Sequence, residues 1–123
     1  MALTRSFKET VKERAQEDPA FRYALLAEGV DALLSGEVEV GKAILRDYVN
    51  ATVGFAKLAE ETGIPVKSLM RMLGPGGNPS ARNLFSALRV LQQSSGTGLR
   101  VHAERKPPRS RARGSASLIR KAG

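Results

Sequence analysis

The stretch "FAKLAEETGIPVKSLMRML", from Phe55 to Leu73, decides how this chain is read. Its first part places Phe55, Leu58, Ala59 and Thr62 at i, i+3, i+4 and i+7, one face of a helix, with Lys57, Glu60 and Glu61 on the other side. Gly63 follows the last of these positions, where a left-handed stop favours glycine. Pro65 cannot continue a helix but suits a first helical turn. A second helix then buries Leu69, Met72 and Leu73 and turns Lys67 and Arg71 outward, with Val66 and Met70 beside them. The spacing predicts two short helices meeting at an abrupt corner. Ala59 stands at their crossing, where a small side chain lets the axes approach closely.

Two helices around a three- or four-residue turn make a helix-turn-helix, whose second helix can enter the DNA major groove. Leu58, Ala59, Gly63, Ile64, Leu69 and Met72 carry a resemblance to the phage-repressor-like (Cro/repressor-type) helix-turn-helix family. An ordinary αα-hairpin in a helical bundle uses a glycine corner and a small-residue crossing too, so the distribution of charge bears on the choice.

The net charge is +8 over 123 residues. Residues 1–51 carry 7 basic and 9 acidic side chains, residues 52–99 carry 5 and 2, and residues 100–123 carry 8 and 1. Positive charge therefore rises toward the two-helix corner and peaks in the tail, which fits a polyanionic partner. The chain has no cysteine, which rules out disulfides and thiolate zinc fingers. Aromatic residues make up 5%, so the core is expected to be mostly Leu, Val and Ala. No run approaches 18 apolar residues and "MALTRSFKET" has no hydrophobic signal region, so a soluble cytoplasmic protein is expected, nucleoid-associated when bound to DNA.

Along the chain the pattern predicts an all-α fold, a five- to six-helix bundle containing the repressor-type helix-turn-helix. Its organisation reads as N-terminal helices over 1–51, a DNA-binding unit over 52–93 and a flexible basic tail over 94–123. "SFKE" at Ser6–Glu9 has capping-box spacing, and Phe7 with Val11 marks a weak stripe to about Glu17. Asp18 caps a second helix with Pro19 in its first turn; its stripe is Tyr23, Leu26, Ala27, Val30, Leu33 and Leu34, with Phe21 and Leu25 on another side, and it stops at Gly36. A third helix runs from about Glu37 to Ala51 with Ile44, Leu45, Tyr48 and Val49 inward. After the corner, Gly74–Pro79 forms a loop. Ser80 or Asn78 caps a sixth helix whose inward stripe is Leu84, Ala87, Leu88 and Leu91. "SSGTG" reads as a linker, and the alternation of Leu99, Val101 and Ala103 predicts a short edge strand. From Lys106 onward apolar residues are too few to pack, so a disordered tail is expected.

The run "LAEETGIPVKSLMRMLGPGGNPSARNLFSALRVL", with "AILRDYVNATVGFAKLAEETG" upstream, resembles the antidote (antitoxin) proteins of bacterial addiction modules over about residues 37–92. The segment Gly77-Asn78-Pro79 is the more specific element; Pro65-Val66 and the basic tail depart from the family pattern. The resemblance implies a homodimeric DNA-binding repressor that controls its own operon and neutralises a small toxin, usually an RNA-cleaving one. The alternative is a stand-alone or phage-derived helix-turn-helix regulator with no toxin partner.

The candidate site residues follow from the helix geometry. Lys67 and Arg71, one turn apart, suit guanine O6/N7; Val66 and Met70 suit thymine methyl groups; Ser68 suits a base or a phosphate. Gly54 and Phe55 open the first helix of the pair, where free backbone N–H groups favour a phosphate. Lys57, Asn78 and Arg82 are further backbone-contact candidates. So small a unit reads only a few base pairs, and a dimer on a pseudo-palindrome is expected. Neither a cofactor nor a metal is called for, and no enzymatic role is expected. His102 is the sole histidine, Glu60 and Glu61 are successive rather than facing, and "GPGGN" lacks phosphate-cradle spacing with a lysine.

Overall fold

The computed structural model describes residues 5–106, with side chains from residue 9 onward. Six α-helices follow one another: α1 (Arg5–Glu17), α2 (Pro19–Leu34), α3 (Val38–Ala51), α4 (Phe55–Thr62), α5 (Val66–Met72) and α6 (Ala81–Ser95). The fold is all-α, as the periodicity predicts.

The boundaries are set by local capping chemistry. The Asp18 carboxylate accepts hydrogen bonds from the amides of Ala20 (3.0 Å) and Phe21 (3.4 Å), satisfying two donors that α2 leaves open, with Pro19 in the first turn. Ser80 does the same for α6 through the Asn83 amide at 3.1 Å. Between α4 and α5, Gly63 adopts φ +78 and its amide donates to Ala59. Thr62 closes the corner: its hydroxyl donates to the Leu58 carbonyl and accepts from the Ile64 amide. At the N-terminus α1 already begins at Arg5, so Ser6 stands inside the first turn rather than before it. The side chains of the expected capping box up to Lys8, and the tail from residue 107, lie outside what is described.

One hydrophobic core runs through five of the helices. It joins Leu26 of α2 with Leu45, Tyr48 and Val49 of α3, Phe55 and Leu58 of α4, Leu69 and Met72 of α5, Leu73, and Ala87, Leu88 and Leu91 of α6. Burying each leucine contributes on the order of 1.5–3 kcal/mol. Helix α1 adds Ala15, fully buried, and its end is held by Arg22, whose guanidinium donates to the Ala15 carbonyl at 2.7 Å.

Helices α2 and α3 pack closely through two glycines. A methyl group added at Gly41 would stand 2.7 Å from Leu33 Cδ2 and 2.9 Å from the Gly29 carbonyl oxygen. One at Gly29 would stand 3.0 Å from Leu45 Cδ2. Glycine on both sides lets the two axes close in, which turns α2 relative to the stripe expected from its sequence. Leu26 and Gly29 are buried and Leu25, Val30 and Leu33 are partly buried, while Tyr23, Ala27 and Leu34 face outward. The expected stripe is thus correct at Leu26, Val30 and Leu33 and wrong at the other three.

The expected strand at Leu99–Ala103 is also corrected: no strand is present among the described residues. Gly96 ends α6 in the left-handed region, and the Leu99 amide donates to the Gln92 side chain at 2.9 Å. Leu99 packs on the core, while Val101 and Ala103 lie exposed. Alternation needs a neighbouring strand to become a ladder, and the described residues supply none.

Candidate functional site

Helix α5 is seven residues long, and its two faces differ sharply. Leu69 and Met72 enter the core, followed by Leu73 at the cap, whereas Val66, Lys67, Met70 and Arg71 are exposed. Two cations one turn apart therefore stand next to two apolar side chains on one outward face. Ser68 is partly buried at its edge.

Beside α5 the chain forms a shallow cleft. It is lined by Ser68, Arg71 and Met72 of α5, by the loop from Pro75 to Pro79, and by Ser80 and Asn83 at the start of α6. The cleft unites three of the expected contact residues, Ser68, Arg71 and Asn78. Arg82 is exposed in the first turn of α6, outside this lining. Lys57 is exposed too, but it lines a separate hollow with Arg22 and Thr52, and its ammonium faces Glu61 on its own helix at 3.8 Å. That pair is open to solvent, so it restrains Lys57 only weakly.

At the start of α4 one amide is already paired. The Gly54 amide donates to the Val49 carbonyl at 2.7 Å and so is not free for a phosphate, and the Phe55 ring is buried in the core. Gly54 has φ +83, a conformation needed to leave α3 and enter α4 at once. Helix α4 has no side-chain cap, so the first-turn amides after Gly54 keep no intrahelical acceptor.

Beneath the cleft lies a feature the sequence reading missed. Lys42 of α3 is only 1% exposed. Its ammonium donates to the carbonyls of Gly77 (2.6 Å) and Gly74 (3.1 Å) and pairs with Glu39 at 2.9 Å. Glu39 in turn accepts from the Gly76 amide at 3.4 Å, and Arg46 donates to the Leu73 carbonyl at the end of α5, at 2.7 Å. Glu39, Lys42 and Arg46, at i, i+3 and i+7 on one face of α3, thus grip the turn that carries the chain from α5 to α6. The cation of Arg46 at a helix C-terminus also opposes the helix dipole. The hydrogen bond from Lys42 is the main cause that holds the Glu39 carboxyl below its usual range; desolvation opposes it, and the Gly76 amide and the charges of Lys42 and Arg46 add to it. Gly77 belongs to the same grip: a methyl group there would run into the Arg71 carbonyl oxygen.

One signal in the sequence points to Lys42. It stands three residues before Leu45 and seven before Val49, on the inward stripe of α3, where a charged side chain must find partners. Comparison of the chain with protein-family models, with curated proteins and with solved structures finds no match.

Proposed function

We propose that this chain is a sequence-specific DNA-binding repressor that reads the major groove with α5. The observation that carries the reading is the division of α5: Leu69 and Met72 anchor it, while Val66, Lys67, Met70 and Arg71 all face outward. Arg71 and Lys67 suit guanine edges, and Val66 and Met70 suit thymine methyl groups. The cleft beside Arg71, with Asn78, Ser80 and Asn83, offers polar groups to a sugar-phosphate backbone. The charge distribution is consistent with this, since the segment around α5 is net positive and residues 100–123 more so.

The resemblance of residues 37–92 to addiction-module antidotes extends the proposal to a homodimeric antitoxin that represses its own operon and neutralises a small, RNA-cleaving toxin. A stable complex with the product of a neighbouring toxin-like gene supports that extension. Its absence leaves a stand-alone regulator.

Selection of duplexes from a random pool, followed by titration of the enriched sequence, tests the DNA reading. Arg71→Ala should lower affinity for the selected duplex by about 1–3 kcal/mol and leave non-specific binding nearly unchanged. Lys57→Ala, as a backbone contact, should weaken both alike. No enrichment rejects DNA recognition, and equal binding by wild type and Arg71→Ala removes α5 as the reading element.

A further inference from the structure

We infer that the groove between α2 and α6 is the surface through which two copies of this chain pair. The inference rests on the DNA reading only for the two-fold symmetry that reading calls for; the groove itself is described independently of it. Its lining includes Ala24, Ala27 and Leu34 of α2, Phe85 and Leu88 of α6, and Val101. Phe85 is 64% exposed and Leu34 68%, the most exposed large apolar side chains among the described residues after Val101. A prominent ring beside a largely apolar hollow, lined in part by the small Ala24 and Ala27, is a knob and a hole on one surface. That is the condition for isologous contact, in which the same patch serves both partners.

The charges at the rim select a second copy over a partner of one sign. Glu28 and Asp31 come from α2 and Arg100 from the segment that follows α6. Among the described residues none of the three is in an ion pair within the chain. An acidic partner would meet the two carboxylates, and a basic one would meet the arginine. A copy rotated by a two-fold axis brings the acidic rim against the basic one. Pairing there also leaves α5 clear. On α6, Asn83 lines the cleft beside α5 while Phe85 lines the groove. Two residues apart is about 200° around a helix, so the two surfaces use opposite sides of α6.

Sedimentation velocity of the full chain at micromolar concentration tests the assignment. A dimer is expected. Phe85→Asp and Leu34→Glu should each convert it to a monomer with an unchanged far-UV circular dichroism spectrum, because both side chains are largely outside the core. Asp31→Arg and Arg100→Asp should each loosen the dimer several-fold, and the double exchange should restore it, since in a two-fold contact each reversed charge meets its reversed partner. Deleting residues 107–123 should leave the dimer intact. A monomeric wild type, a dimer indifferent to Phe85→Asp and Leu34→Glu, or a dimer lost only with the tail would each overturn the inference. None of these readouts involves DNA, so failure of the base-reading proposal is seen separately in the duplex selection.

Discussion

The ammonium of Lys42 lies 2.6 Å from the carbonyl oxygen of Gly77, 35 residues further along the chain. This contact joins the middle of α3 to the turn after α5. Through that turn it fixes where Arg71 and Asn78 stand relative to each other. The exposed face of α5 is thus held from behind by a buried cation rather than by its own short helix, which makes too few internal hydrogen bonds to be stable alone.

Lys42→Met keeps an unbranched apolar stem and removes the donor. The carbonyls of Gly74 and Gly77 then lose a partner, and the expected cost is about 1–3 kcal/mol. Urea unfolding should show a lower midpoint with an unchanged slope, and amide resonances should move chiefly over residues 73–80. An unchanged midpoint would mean that the grip contributes nothing to stability.

Two neighbouring glycines should respond differently to alanine. Gly76 has φ +74 and open space around it, so Gly76→Ala should cost about 1–2 kcal/mol through backbone conformation alone. Gly77→Ala meets the Arg71 carbonyl and must displace the loop, with a cost of about 1–3 kcal/mol or more and a shift of the Arg71 and Asn78 amides. Identical spectra for the two variants in the α5–α6 turn would contradict the close packing at Gly77.

The Glu39 carboxyl is held below its usual range by Lys42 first, and it is 65% exposed. A carboxylate with a depressed folded-state pKa adds stability above its unfolded value, and that stability is lost as the pH falls through the folded value. Wild type should therefore lose part of its stability on acidification below the ordinary Glu range, and Glu39→Gln should lose less over the same interval. Urea midpoints measured from neutral pH down to about pH 3 check this; parallel curves for the two proteins would exclude Glu39 as a contributor.

The elements legible in the sequence were those set by neighbours in the chain. Asp18 with Pro19, Gly63, and Ser80 mark helix ends because a cap is a contact between residues two to four apart. The inward stripes of α3 to α6 were legible for the same reason. Each carries Leu, Val, Phe or Met on one face and polar groups on the other, so one orientation buries more apolar surface than any other. The outward set on α5 follows directly from Leu69 and Met72 being inward.

What the tertiary structure alone decided was the choice among faces of similar character and the fate of groups whose partners are far away. Helix α2 carries apolar residues on more than one side, so the stripe read from its sequence was right only at Leu26, Val30 and Leu33; the close approach of Gly29 and Gly41 goes with the face that is buried and leaves Leu34 outside. Leu99 to Ala103 alternates as a strand does, yet without a second strand its backbone found the Gln92 side chain instead. Lys42 is polar by composition and buried by position, because carbonyls 32 and 35 residues away replace the water it gives up. Capping and periodicity are local energies that a sequence carries with it, whereas the partner of a buried charge exists only once the chain has folded.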